Sequence, residues 1–151
     1  MQISSKCYYA LKALFELAEQ YETSQPVNSA LIASNHKIPK RFLEVILNEL
    51  RQGGFVESRR GVDGGYILAR KPGTITIGDV VRFVDGDISP VSCVSSNENQ
   101  VYCAMEFQCP FYDFWLQVKE AVEKVYSGTT LADIVEKWQK SQADLGINYE
   151  I

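Results

Sequence analysis

Leu11, Leu14, Phe15 and Ala18 recur at i, i+3, i+4 and i+7, the spacing of one helix face. They predict an amphipathic first helix, capped by Ser4 or Ser5 and running to about residue 21. Thr23-Ser24-Gln25-Pro26 ends it. Asn28 or Ser29 then caps a short helix through residue 33, with Leu31 and Ile32 inward, and Asn35-His36-Lys37-Ile38 forms a turn. Pro39 fits the first position of a third helix that carries Phe42, Leu43, Ile46, Leu47 and Leu50 inward until Gly53-Gly54 stops it. The pattern then shortens to two β-prone runs, 55–58 and 66–68, around a loop with Arg59 and Arg60 at its entrance and three glycines about its tip. Glycine supplies the positive φ that a tight strand reversal needs, so this segment predicts a hairpin.

Beyond the break at Lys71-Pro72-Gly73, Thr76 caps a helix through about residue 84 with Ile77, Val80, Val81 and Val84 apolar. A polar stretch, 85–108, carries three cysteines. Pro110 opens a long helix whose apolar positions are Phe111, Phe114, Trp115, Val118, Val122 and Val125. Ser127-Gly128 ends it, and Thr129 or Thr130 caps a last helix to about residue 138. The expected fold is mainly α with a small β-hairpin wing: a winged helix-turn-helix over 1–72, then a linker helix, cysteine loop and long dimerisation helix over 73–140, then a flexible tail over 141–151.

The charge is split. Residues 1–72 carry a net +3 and residues 73–151 a net −7, within an overall −4. The basic part holds the helix-turn-helix, which points to duplex DNA as partner, although small asymmetries of this kind are also common. Lys40 and Arg41 lie in the first turn of the second helix of the motif, the part that meets base edges. Cations there oppose the helix dipole, a cost that a polyanionic partner would offset. Arg59, Arg60 and Gly61 make a cationic wing slim enough to pass between phosphate ridges. The long helix is more apolar than a winged domain of this size can cover. Either it packs on the first and fourth helices, or Phe111, Trp115, Val118, Val122 and Val125 pair two subunits, as a palindromic operator requires.

No apolar run approaches the roughly 20 residues of a membrane span, and the first residues lack the apolar core of a signal peptide. A cytoplasmic protein is expected. There disulfides are disfavoured, so Cys7, Cys93, Cys103 and Cys109 point to metal or redox chemistry. Cys93, Cys103 and Cys109 are spaced so that three thiolates on one loop can converge on an iron–sulfur cluster. A zinc site, a thiol switch and unliganded cysteines are the alternatives. A single histidine, His36, offers no nucleophilic triad, so an enzyme is not expected.

Ile3-Ser4-Ser5-Lys6 with Tyr9-Ala10, Phe42-Leu43-Glu44, Leu50-Arg51, Arg60-Gly61 followed by Gly64-Gly65-Tyr66, and Thr130-Leu131-Ala132-Asp133-Ile134 together resemble the Rrf family of bacterial winged-helix regulators over essentially the whole chain. The resemblance implies a homodimeric transcription regulator, acting as a repressor or activator, with the long helix pairing subunits. Arg60 would enter the minor groove while the second helix of the motif lies in the major groove. A guanidinium beside glycine suits that narrow groove. Glu44 matches a residue that tunes sequence choice; a surface glutamate paired with a neighbour is the alternative.

For the cysteines, the resemblance implies a 2Fe–2S or 4Fe–4S cluster held by Cys93, Cys103 and Cys109, although the first gap is wider here than in the family. The fourth ligand is open. Tyr112 stands where some members have histidine and Tyr8 where others have aspartate, which leaves the adjacent Cys7 as a candidate across the subunit boundary. The closing Asn148-Tyr149-Glu150-Ile151 resembles tails that dock in cysteine synthase, as in members governing cysteine metabolism. Tyr149 and Ile151 would then bind that enzyme. A plain disordered tail is the competing reading.

Overall fold

A computed structural model describes residues 2–96 and 109–144. These residues form α1 (Ser5–Glu19), α2 (Ser29–His36), α3 (Lys40–Gln52), β1 (Val56–Arg59), β2 (Gly65–Leu68), α4 (Ile77–Asp85), α5 (Tyr112–Gly128) and α6 (Leu131–Asp144). Short 3-10 turns occur at Tyr21–Thr23, Pro72–Thr74 and Ser92–Val94. The architecture is the expected one, helices with a single antiparallel wing.

Ser4 starts α1, its Oγ accepting from the Cys7 N–H at 3.0 Å, a cap of about 1 kcal/mol. The buried stripe of α1 is Cys7, Ala10, Ala13, Leu14, Leu17 and Ala18, not the Leu11, Leu14, Phe15 and Ala18 stripe read from spacing. Leu11 and Phe15 are only partly covered. The reason is packing: α3, α4 and α6 all lie on α1, and its alanines let their backbones approach. In α2, Ile32 and Ala33 are buried, whereas Leu31, expected inward, is 52% exposed. Lys37 ends α2 in the left-handed region at φ 53, a place glycine usually takes. Pro39 is the N-cap of α3 rather than its first residue.

Leu43, Ile46, Leu47 and Leu50 form the inner face of α3 as expected. Phe42, also expected inward, lies at the rim with its ring edge-on to Tyr9 at 5.8 Å between centroids. Behind α3, the Phe83 ring sits over Gly53, where an added Cβ would fall 2.5 Å from it. The core joins Leu14, Ile32, Leu43, Ile46, Leu47, Leu50, Val56 and Leu68 to Ile75, Val80 and Leu131, so α4 and α6 share it with the helix-turn-helix. Each such aliphatic side chain contributes roughly 1.5–3 kcal/mol by leaving water.

Two reciprocal caps fix α4 and α6 side by side. Thr76 and Asp79 exchange hydrogen bonds of 3.0 Å at the start of α4, and Thr130 and Asp133 do the same at α6. Their flanks pair directly: Ile77 N–H donates to Thr129 O at 2.8 Å and Leu131 N–H to Ile75 O at 2.9 Å. Helix α5 starts at Tyr112, with Phe111 as N-cap, two residues after the proline expected to open it. It packs on α4 and on the Ser92–Val94 turn. Gly78 permits that approach, since an added Cβ would lie 3.2 Å from the Tyr126 backbone.

Candidate nucleic-acid interface

The outer face of α3 carries Arg41, Glu44, Val45, Asn48 and Gln52, all exposed, with Lys40 at its start. No side chain caps this helix, so its first N–H groups and two cations face the same end. Glu44 lies 4.0 Å from Lys40, both half exposed. A pair at that distance in water is worth a few tenths of a kcal/mol, so Lys40 is free to turn to a base edge or a phosphate and Glu44 to a base-edge donor. His36 does not belong to this face. Its Nε2 meets Glu16 at 2.8 Å, Asn35 Nδ2 donates to the same carboxylate at 2.9 Å, and the imidazole edge meets Phe15. It ties the end of α2 to α1.

The wing pairs Val56 with Leu68, Glu57 with Ile67, Ser58 with Tyr66 and Arg59 with Gly65. Each strand lies within a residue or so of its expected span, and β1 reaches one residue further, to Arg59. Arg59, Arg60, Gly61 and Val62 are all exposed, and Gly61 takes φ +124, a conformation open to glycine alone. What fixes the wing is not visible in the hairpin itself. Tyr66 exchanges two 2.9 Å backbone hydrogen bonds with Val27, just ahead of α2. At Gly65 a Cβ would sit 2.4 Å from Val27 O. The second glycine of the Gly-Gly-Tyr run is there because another backbone passes through the space of its side chain.

The long helix has an inner and an outer side. Val122 and Tyr126 pack against the cluster of Cys7, Val81 and Ile88, so Val122 serves the chain's own core rather than the seam for which it was expected. Trp115 is half buried, in edge contact with Phe114 at 4.9 Å. Left uncovered are Phe111, Phe114 and Val125, at 54–65% exposure, with Ala121 exposed and Val118 half buried between them. These five positions repeat at steps of three, four, three and four, the spacing of a heptad stripe.

Cys93 and Cys109 are half-buried free thiols on either side of residues 97–108; Cys103 falls outside the described residues. Cys7 is different. It has no exposed surface, and burial, reinforced by the charge and hydrogen bond of Asp85, pushes its thiol up to about 12. Its surroundings are Val81 and Ile88 of its own chain, so in this structure it is a member of the subunit's core and not presented at the surface. Among the described residues no three His, Cys, Asp or Glu side chains gather as a metal site. Tyr149 and Ile151 also lie outside the described residues.

A family model described as an iron-dependent transcriptional regulator, Rrf2, matches residues 3–137. The chain belongs to the Rrf2 family. The HTH-type transcriptional regulator CymR of Bacillus subtilis is 34% identical over 134 residues, covering 89% of either chain. The solved structure of CymR, the global cysteine regulator of that organism, superposes with a TM-score of 0.74 at 32% identity, covering 91% of this chain and 98% of its own. That of IscR from T. potens gives 0.73 at 30%, covering 94% and 91%. This Rrf2 protein is therefore a DNA-binding transcription regulator and not an enzyme. Among its described residues no helix is long and apolar enough to cross a membrane.

Proposed function

We propose that this Rrf2 protein is a homodimer that reads a palindromic operator with α3 in the major groove and the β1–β2 wing in the minor groove. The observation that supports the reading is the wing's anchorage: the Val27–Tyr66 bridge ties β2, the strand paired with the one that leads into Arg60 and Gly61, to the chain just ahead of α2. Lys40, Arg41 and Glu44 supply the base-edge and phosphate contacts, and Arg59 a phosphate contact. The outward seam of α5 provides the two-fold. Selection of a binding site from random duplexes, followed by anisotropy titrations, tests it. A half-site repeat one helical turn apart is the expected product, and selection of no symmetric site overturns the homodimer reading.

We further propose that Cys93, Cys103 and Cys109 make operator binding responsive to iron–sulfur, redox or nitric oxide status. Cys93 and Cys109 suit this as half-buried free thiols that bracket the same stretch of chain. A bound cluster would supply a redox- and nitric-oxide-reactive centre there. Protein purified without oxygen should be brown, and Cys93→Ala, Cys103→Ala or Cys109→Ala should each remove the colour without unfolding the winged core. A colourless preparation that binds DNA equally with and without added iron and sulfide would sink this part. The likeness to CymR favours a second reading, control of cysteine metabolism with Tyr149 and Ile151 docking in cysteine synthase. Calorimetry of the last four residues as a peptide against that enzyme decides it: competition with substrate supports the docking, and no heat rejects it.

A further inference from the structure

The one buried side chain of α5 is a lysine. Lys119 is 9% exposed, and its ammonium donates to Val94 O and to Ser96 Oγ, both at 2.7 Å. Removing an ammonium from water is costly unless acceptors replace the water, so these contacts are a condition of the fold here. They are braced from behind. The Asp87 carboxylate accepts from Ser89 Oγ at 2.5 Å, Ser95 Oγ at 2.6 Å and Ser96 N–H at 3.1 Å. Ser96 thus stands between the two charges, its N–H on Asp87 and its Oγ on Lys119. Burial alone would raise Asp87, but these hydrogen bonds and the nearby Lys119 charge outweigh it and hold the carboxyl below its ordinary range. Residues 87–96 are in this way closed on themselves and bolted to the inner face of α5.

Cys93 is the middle residue of the Ser92–Val94 turn, and the carbonyl that Lys119 holds belongs to the next residue. We propose that Lys119 is the positioning residue through which a group bonded to Cys93 is felt by α5. The inference rests on the reading of the loop cysteines as the sensing site. A group that turns the three-residue coil around Cys93 displaces Val94 O and strips an acceptor from a buried cation. The ammonium then either follows the carbonyl, turning α5 with it, or leaves for water and uncovers the inner face. Either way the outward seam, one residue away at Val118, changes its presentation.

The test uses the full chain with Cys103→Ser and Cys109→Ser, so that Cys93 is the accessible thiol and Cys7 stays buried. Iodoacetamide is the probe: the Cys93 sulfur forms a bond to carbon, and its proton and iodide leave. Alkylation should shift operator affinity at least about fivefold when Lys119 is present, the lower end of allosteric couplings. In Lys119→Met the alkylated and free forms should bind within about twofold of each other, and Lys119→Arg should restore the difference. Hydrogen exchange of the unmodified proteins is the second readout. Amides of 92–96 should exchange faster in Lys119→Met while those of α3 do not change. An alkylation response in Lys119→Met as large as in its parent overturns the inference and leaves the cysteine reading standing. No response in the parent overturns the inference, while the cluster reading stands or falls on the colour test of the unsubstituted protein. Unchanged exchange at 92–96 overturns the role of Lys119 irrespective of sensing.

Discussion

Gly65→Ala puts the wing's anchorage to the sharpest test. The new Cβ would fall 2.4 Å from Val27 O, 2.6 Å from its carbonyl carbon and 3.0 Å from Asn28 N, all backbone atoms that no rotamer change can move aside. Val27 and Tyr66 must separate, which stretches or breaks two hydrogen bonds of 2.9 Å. At about 0.5–1.5 kcal/mol each, their loss costs roughly 1–3 kcal/mol. The disturbance reaches Asn28, whose Oδ1 caps α2 by accepting from Ala30 N–H at 2.7 Å, and a weakened cap adds up to about 1 kcal/mol. A fall of roughly 1–4 kcal/mol in unfolding free energy is expected, read as a lower urea midpoint by circular dichroism. Gly61→Ala is the control. Nothing lies within 4 Å of its Cβ position, so it carries only the strain of φ +124, about 1–3 kcal/mol, and leaves the bridge intact. Both variants should weaken DNA binding, but only Gly65→Ala should free the Val27 and Tyr66 amides to exchange. If Gly65→Ala unfolds within about 0.5 kcal/mol of the parent and those amides stay protected, the close approach does not hold the wing, and the reasoning fails.

Arg60→Ala should weaken operator binding by about 1–3 kcal/mol, and a dimer with some 6–10 phosphate contacts should lose about 10³–10⁵ in affinity between 50 and 200 mM salt. A flat salt series by anisotropy would remove the DNA face proposed above. Val118→Glu should place a charge in the α5 seam and shift the mass seen by light scattering towards monomer; a parent protein already monomeric at tens of micromolar rejects the seam. The Cys7 thiol, raised from 9.0 to about 12 in the folded chain, favours the native state fully below pH 9 and loses that contribution as pH climbs towards 12. Thermal melts of Cys7→Ala across that range should show a shallower alkaline decline than the parent, and an equal decline would mean the thiol is not enclosed as described.

Local signals carried the winged part of the fold. Ser4, Asn28 and Thr76 were legible as caps because their side-chain oxygens meet N–H groups two or three residues on, a contact that needs no knowledge of the rest of the chain. The inner face of α3 was legible for a similar reason, since Leu43, Ile46, Leu47 and Leu50 lie on a helix with one wet and one dry side. Helix α1 is less legible because it is wrapped on several sides. Its burial follows the alanines that admit neighbours rather than the largest side chains. The Gly-Gly-Tyr run stands out as a motif, but the reason for Gly65 lies in Val27, nearly forty residues earlier, where no periodicity points.

Helix α5 shows where such reading stops. From Phe111 onward the chain offers apolar residues at both Phe114 and Trp115 and then at Val118, Val122 and Val125, so an arc through 111, 115, 118, 122 and 125 is as helical as one through 111, 114, 118, 121 and 125. Nothing local separates the two. The choice is made by α4 and the Ser92–Val94 turn, which occupy the side carrying Val122 and leave the other to solvent. Small Ala121 then enters the exposed stripe in place of a valine that looked the better candidate. Lys119 lay hidden for the complementary reason. A lysine amid apolar neighbours reads as the wet edge of a helix, and only the carbonyl and hydroxyl of a segment more than twenty residues upstream make it an interior residue. Apolar patterning identifies which helices must be covered; what covers them is decided by the irregular segments between, whose polar groups leave no period in the sequence.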